Sequence, residues 1–271
     1  MKKYLSIFML AARGTLCKAL GLMTLVGAAQ VGVYYASLRA ALGEREMELQ
    51  NQLLHPEYGS WDVPYPALET ILDKGILHGW ITVTTVWIIG FALFVLLLST
   101  EGHPLRGGDS KIRLTLMRLS VKERWITLCY MIYNFAMLLI FWSFSTAIAF
   151  LICKLYYAEA DPNTYGSQSI FLMFYRNDLF HSLLPLADTL RYVRNIFMLL
   201  ALAVSASCHG FWERREKKSL WRVFGYLYLA TVFPKGLADS GTNLWWIVLC
   251  VALMILELYC VINQLEEGEE A

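Results

Sequence analysis

EGHPLRGGDSKIRLTLMRLSVKER, Glu101 to Arg124, separates two of the most apolar runs in the chain. It carries Arg106, Lys111, Arg113, Arg118, Lys122 and Arg124 against Glu101, Asp109 and Glu123. The runs on either side, 76–99 and 125–157, are each long enough to cross a bilayer, which takes ~20 apolar residues. A loop so rich in Lys and Arg beside membrane spans stays on the cytoplasmic side. Within it, Ile112, Leu116 and Leu119 fall at helical spacing between Lys111 and Leu119. The reading is a short amphipathic helix pinned under the membrane, set against the plainer one of a solvated basic loop. The expected fold class is therefore all-α, a polytopic membrane protein.

Composition agrees. Of 271 residues, 57% are hydrophobic and only 17% charged, where soluble domains run at about 25% charged. Mean hydropathy is +0.47. The net charge of +1 is sorted by loop rather than gathered in one patch, so nucleic acid is not an expected partner. Six cysteines (17, 129, 153, 208, 250 and 260) lie in or beside apolar runs without a close CxxC pair. They read as buried thiols, not as a disulfide framework or zinc site.

Outward from the basic segment, six spans are expected within one transmembrane domain over 1–271: about 19–38, 76–99, 125–157, 189–209, 220–233 and 244–263. Met1 to Lys18 interleaves Lys2, Lys3, Arg13 and Lys18 with apolar residues, the pattern of an interfacial N-terminal helix, read as retained rather than cleaved. The first span is rich in small residues (Gly21, Gly27, Ala28, Ala29, Gly32), which predicts close packing inside the bundle. Residues 40–74 are acidic, helical to Leu54 and then broken by Pro56, Pro64 and Pro66. That stretch and 158–188 are expected outside. The second holds an amphipathic piece, SIFLMFYRNDLFHSLLPL, suited to the outer leaflet or to capping the bundle. Arg191 and Arg194 open the fourth span and are expected to snorkel to the headgroups. The fifth run, 220–233, is short and stops at Pro234. Lys and Arg in 210–222 return the chain to the cytoplasm, so both termini are placed inside a cell membrane.

Chemistry is sparse. Asp239-Ser240-Gly241 with His209 could suggest a hydrolase, but the expected topology puts them on opposite sides, and a turn is the better reading. The five histidines are scattered, so no metal site is expected, and no P-loop, GxGxxG or HExxH occurs. No cofactor and no enzymatic activity follow. Two intramembrane polar residues stand out. Glu257 lies inside the sixth span, where it either lines a pathway or snorkels. Asn134 belongs with Ser143, Ser145 and Thr146 to a polar set read as interhelical bonding before substrate path.

The layout of six spans, an interfacial N-terminal helix and a basic segment between spans two and three resembles the permease subunits of type-2 ABC transporters. The closest local likeness is Thr115-Leu116-Met117-Arg118-Leu119-Ser120-Val121, running on through Lys122 to Trp125 and Ile126. The resemblance implies that 111–121 is a coupling helix seated in a groove of a separate ATPase. Leu116 and Leu119 would fill the groove, while Arg113 and Arg118 would pair with acidic residues of that partner. It also implies a second permease subunit or a homodimer, and transport of an unidentified substrate, with export the expected direction. Ser120 stands where a proline is common, and the loop before the sixth span is too short for re-entrant helices. A non-transporting membrane scaffold or sensor subunit is the alternative, and an intramembrane enzyme without a visible motif a third class.

Overall fold

The computed structural model describes residues 2–54, 68–101, 121–159, 177–185, 188–215, 220–234 and 240–269. Among these residues the chain is all-helical: α1 (Lys2–Leu54), α2 (Leu68–Ser99), α3 (Glu123–Glu159), α4 (Asp178–Leu183), α5 (Thr189–Arg214), α6 (Leu220–Val232) and α7 (Ser240–Glu269). Five of them, α1, α2, α3, α5 and α7, are long and apolar enough to cross a membrane. At 1.5 Å per residue, α6 reaches only about 20 Å, short of the ~30 Å hydrocarbon core. It ends where Pro234 removes the next amide donor.

The expected turn between an interfacial helix and the first span is absent. α1 runs unbroken for 53 residues, about 80 Å, through Lys18 and on to Leu54. Packing explains why. Ile7 and Ala11 are buried against Ile126, Cys129 and Tyr130 of α3, and the Thr15 and Tyr133 hydroxyls hydrogen-bond at 2.6 Å. The N-terminal stretch thus stays in line with the bundle instead of lying across its end. The expected helix end at Leu54 is found, just ahead of the proline-rich stretch.

α1 and α2 form a long antiparallel pair. A Cβ at Gly79 would meet Ser37 at 3.1 Å, one at Gly90 would meet Val26 at 2.5 Å, and one at Gly14 would meet the Glu101 carbonyl at 3.3 Å. Glycines on both helices are what allow this approach. The small residues of the first span do not all turn inward, however. Gly27 packs on Phe144 and Ile148, while Gly21, Ala28, Ala29 and Gly32 face outward. The residues that bury this helix are instead Met23, Val26, Tyr34 and Leu38.

The centre of the bundle is aromatic. Trp87 stacks on Phe91 and Phe233, with ring centroids 4.8 and 5.2 Å apart, and Phe141 closes on Phe91 and Phe94. The indole N–H of Trp87 donates to Ser145 Oγ at 3.1 Å, so the one polar atom of that ring is satisfied. α7 runs parallel to α5, since Arg194 reaches Asn243 and Arg215 reaches the Gln264 carbonyl, both 49 residues on. α6 runs against them, with Tyr226 donating to the Ser205 carbonyl and the Phe233 carbonyl taking an Arg194 N–H. Tyr4 packs on Trp125, so the N-terminal end of α1 and the C-terminal end of α7 lie at the same end of the bundle.

α4 caps the opposite end. Asn177 Oδ1 accepts from the Phe180 amide as its N-cap, and Leu179, Phe180 and Leu183 are buried, with Phe180 edge-on to Trp80. Of the two roles expected for this amphipathic piece, the described part caps the bundle. Phe171 and Phe174 lie outside the described residues.

Candidate functional site

The basic segment itself, with Arg113, Leu116, Arg118 and Leu119, lies outside the described residues. Its two flanks do not. Glu101 follows the last turn of α2 with φ 51°, a left-handed conformation that costs a non-glycine residue about 1–2 kcal/mol. It sits in a notch between two glycines: Gly14 of α1 faces its carbonyl, and a Cβ on Gly210 of α5 would come within 2.9 Å of its carboxylate. That carboxylate accepts from Arg214 of α5. Glu123, opening α3 on the far side of the segment, lies 3.9 Å from Arg214 and 3.1 Å from Arg215. Arg214 also rests over the Tyr130 ring and Arg215 over Phe211. Two carboxylates that bracket 102–120 are thus fastened to consecutive arginines at the end of α5. Arg215 carries the link on to α7 through the Gln264 carbonyl, at 2.9 Å.

Asn134 is buried on α3 and donates to Ser207 Oγ at 2.9 Å, while the Ser207 hydroxyl donates to the Ala203 carbonyl. Its partner of the polar set, Ser145, is engaged with Trp87, whereas Thr146 bonds back to Trp142 within its own helix. Glu257 is half-buried on α7, a helix whose remaining surface is mostly exposed. By the register of α5 and α7 it lies level with Cys208, close to the depth of Asn134.

The arginines of α5 overturn an expectation. Arg191 and Arg194 do not snorkel; they are 3% and 0% exposed. Arg194 donates to Asn195 Oδ1 at 3.0 Å, to Asn243 Oδ1 at 3.0 Å and to the Phe233 carbonyl at 3.4 Å. Asn195 turns its amide to the Ser182 carbonyl at 2.6 Å. Among the described residues, one guanidinium therefore knits α4, α5, α6 and α7 together through neutral acceptors alone. The reason is geometric. Arg194 lies more than a turn inside α5, beneath α4, so its path to the headgroups is closed. The signal in the sequence was the triplet Arg191, Arg194 and Asn195, at helical spacing in a span, with Asn243 at the start of another.

Ser240 opens α7 at the Arg194 end, whereas His209 lies in the last turns of α5 toward the Glu101 end. Among the described residues no three His, Cys, Asp or Glu side chains converge as metal ligands. A groove of about 380 Å³ runs between α2, α4 and α6, walled by Leu77, Trp80, Ile81 and Ile88 with Asn177 and Asp178 at one end. Comparison with known proteins yields no match: no family model, no curated protein and no solved structure matches the chain.

Proposed function

We propose that this chain is the permease-like membrane subunit of an ABC transporter, docking a separate ATPase through residues 111–121 to export an unidentified substrate. The observation that carries the reading is the clamp on the flanks of that segment, Glu101 and Glu123 held by Arg214 and Arg215. A docking element that transmits motion must be rigidly joined to the helices it moves, and these ion pairs join both its ends to α5 and, through Gln264, to α7. Strain at Glu101, held by surrounding contacts, is of the kind that gathers at functional sites. In this reading α6 completes a sixth, thin crossing, and the Glu101 end faces the cytoplasm with both termini, as the Lys and Arg sorting requires. A second permease subunit, or a second copy of this chain, completes the transporter.

Leu116 and Leu119 supply apolar anchors inside a positive rim, the pattern of a stable docking site. Truncating each anchor costs ~1–3 kcal/mol, enough in pairs to dissolve a micromolar contact. Leu116→Ala with Leu119→Ala abolishes co-purification of an ATPase from the native membrane, with insertion unchanged. Arg113→Glu with Arg118→Glu does the same. A parent chain that purifies in gentle detergent with no nucleotide-binding protein transfers the assignment to a non-transporting scaffold or sensor subunit.

A further inference from the structure

Beneath α4, the first two turns of α5 hold more positive charge than the described residues around them neutralise. Arg194 is fully buried, and among the described residues every acceptor it meets is neutral. Arg191, one turn before Asn195 on the same face, is 3% exposed. Among the described residues the one carboxylate paired with it is Asp188, whose Oδ2 lies 3.6 Å from its Nε while Oδ1 accepts the Arg191 backbone N–H as the helix N-cap. Burying an isolated charge is costly even after the protein relaxes, and a buried guanidinium normally recruits a carboxylate or phosphate.

The unfilled donors lie together. Among the described residues, Arg191 Nε and Nη1 are buried without a hydrogen-bond partner, and so is Ser182 Oγ on α4. Ser182 and Arg191 meet across the same junction: Asn195 is bonded to the Ser182 carbonyl, and the Arg191 charge is one of the causes holding the neighbouring His181 below its ordinary pKa. Buried donors left open beside excess positive charge are what a missing anionic acceptor leaves behind.

We infer that the junction of α4 and α5 binds a single oxyanion group, a carboxylate or phosphate, through Arg191 and Ser182, with Arg194 as the fixed charge behind it. The group can come from a lipid headgroup or from a soluble anion, and the two are separable. This site stands apart from the ATPase docking proposed above, at the other end of the bundle, and fails or holds independently of it.

The test uses the full chain in phosphatidylcholine nanodiscs, reading Tm as sodium phosphate or acetate is added, with chloride at equal ionic strength as control. A second set of discs contains phosphatidylglycerol. A ligand at ~100-fold its Kd stabilises the fold enough to raise Tm by several degrees. A saturable rise with phosphate or acetate identifies a soluble anion, and a rise confined to phosphatidylglycerol discs identifies a headgroup. In either case Ser182→Ala shifts the response to higher anion or lipid content and Arg191→Gln removes it. In anion-free phosphatidylcholine, Arg191→Gln melts no lower than the parent, because an uncompensated charge has been taken away. No response to any anion or to the anionic lipid, an equal response to chloride, or an Arg191→Gln variant that responds like the parent overturns the site.

Discussion

Gly90 is the residue on which the α1–α2 pair depends most directly. A Cβ there would fall 2.5 Å from Cγ2 and 2.6 Å from Cγ1 of Val26, a branched side chain with few rotamers to yield into. Gly90→Ala gains up to about 1 kcal/mol of helix propensity and loses about 1–3 kcal/mol to overpacking. The expected result is a lower Tm in detergent, partly restored when Val26→Ala is added. At Glu101 two effects can be separated. Removing the carboxylate breaks a largely buried ion pair and costs about 3 kcal/mol, the lower end for such a loss. The left-handed backbone favours glycine by about 1–2 kcal/mol over other residues. Glu101→Gly is therefore expected to unfold at a higher denaturant concentration than Glu101→Ala, though both fall below the parent. Glu257→Leu tests a different matter: loss of transport with intact assembly places the carboxylate on a pathway, and an unchanged variant removes it from any mechanism.

Among the described elements, α4 carries a histidine whose ionisation is coupled to its packing. His181 is held below its ordinary value of 6.5 chiefly by burial, then by the charge of Arg191, with Asp188 and Asp178 opposing. A histidine with a lowered folded pKa favours the neutral form in the fold. Its contribution is present above about pH 6.5 and is lost as pH falls through the folded value. The protection factors of the α4 amides, with the intrinsic pH dependence of exchange divided out, are expected to fall between pH 7.5 and pH 5.5, and His181→Gln to flatten that change. Equal protection factors at both pH values in the parent would remove His181 from the control of this cap. The five long helices α1, α2, α3, α5 and α7 show a different behaviour. Each extends past its expected span, because neighbours continue to pack along it or because no Pro or turn sequence stops it.

At the scale of the whole molecule, both ends of the described chain and both flanks of the basic segment lie at one end of the bundle, and α4 with the buried arginines at the other. Single cysteines at Glu48 and Arg113, in a background without native thiols, report which end is outside. Impermeant reagent is expected to label position 48 in intact cells and spare 113; the opposite pattern inverts the topology. The sequence by itself determined an all-helical membrane protein, the places where apolar runs begin and fail, and the helix ends at Leu54 and before Pro234. Those features follow from local hydropathy and from backbone chemistry that acts within a few residues. Tertiary structure alone decided that α1 continues through Lys18, that its glycines face outward as often as inward, and that Glu101 is notched between Gly14 and Gly210. It also decided the fate of Arg191 and Arg194. Their positions near the end of a span were visible in the sequence, and from there a free side chain reaches the headgroups. Whether it can depends on what covers it, and α4, packed over the start of α5 from a distant part of the chain, closes that route.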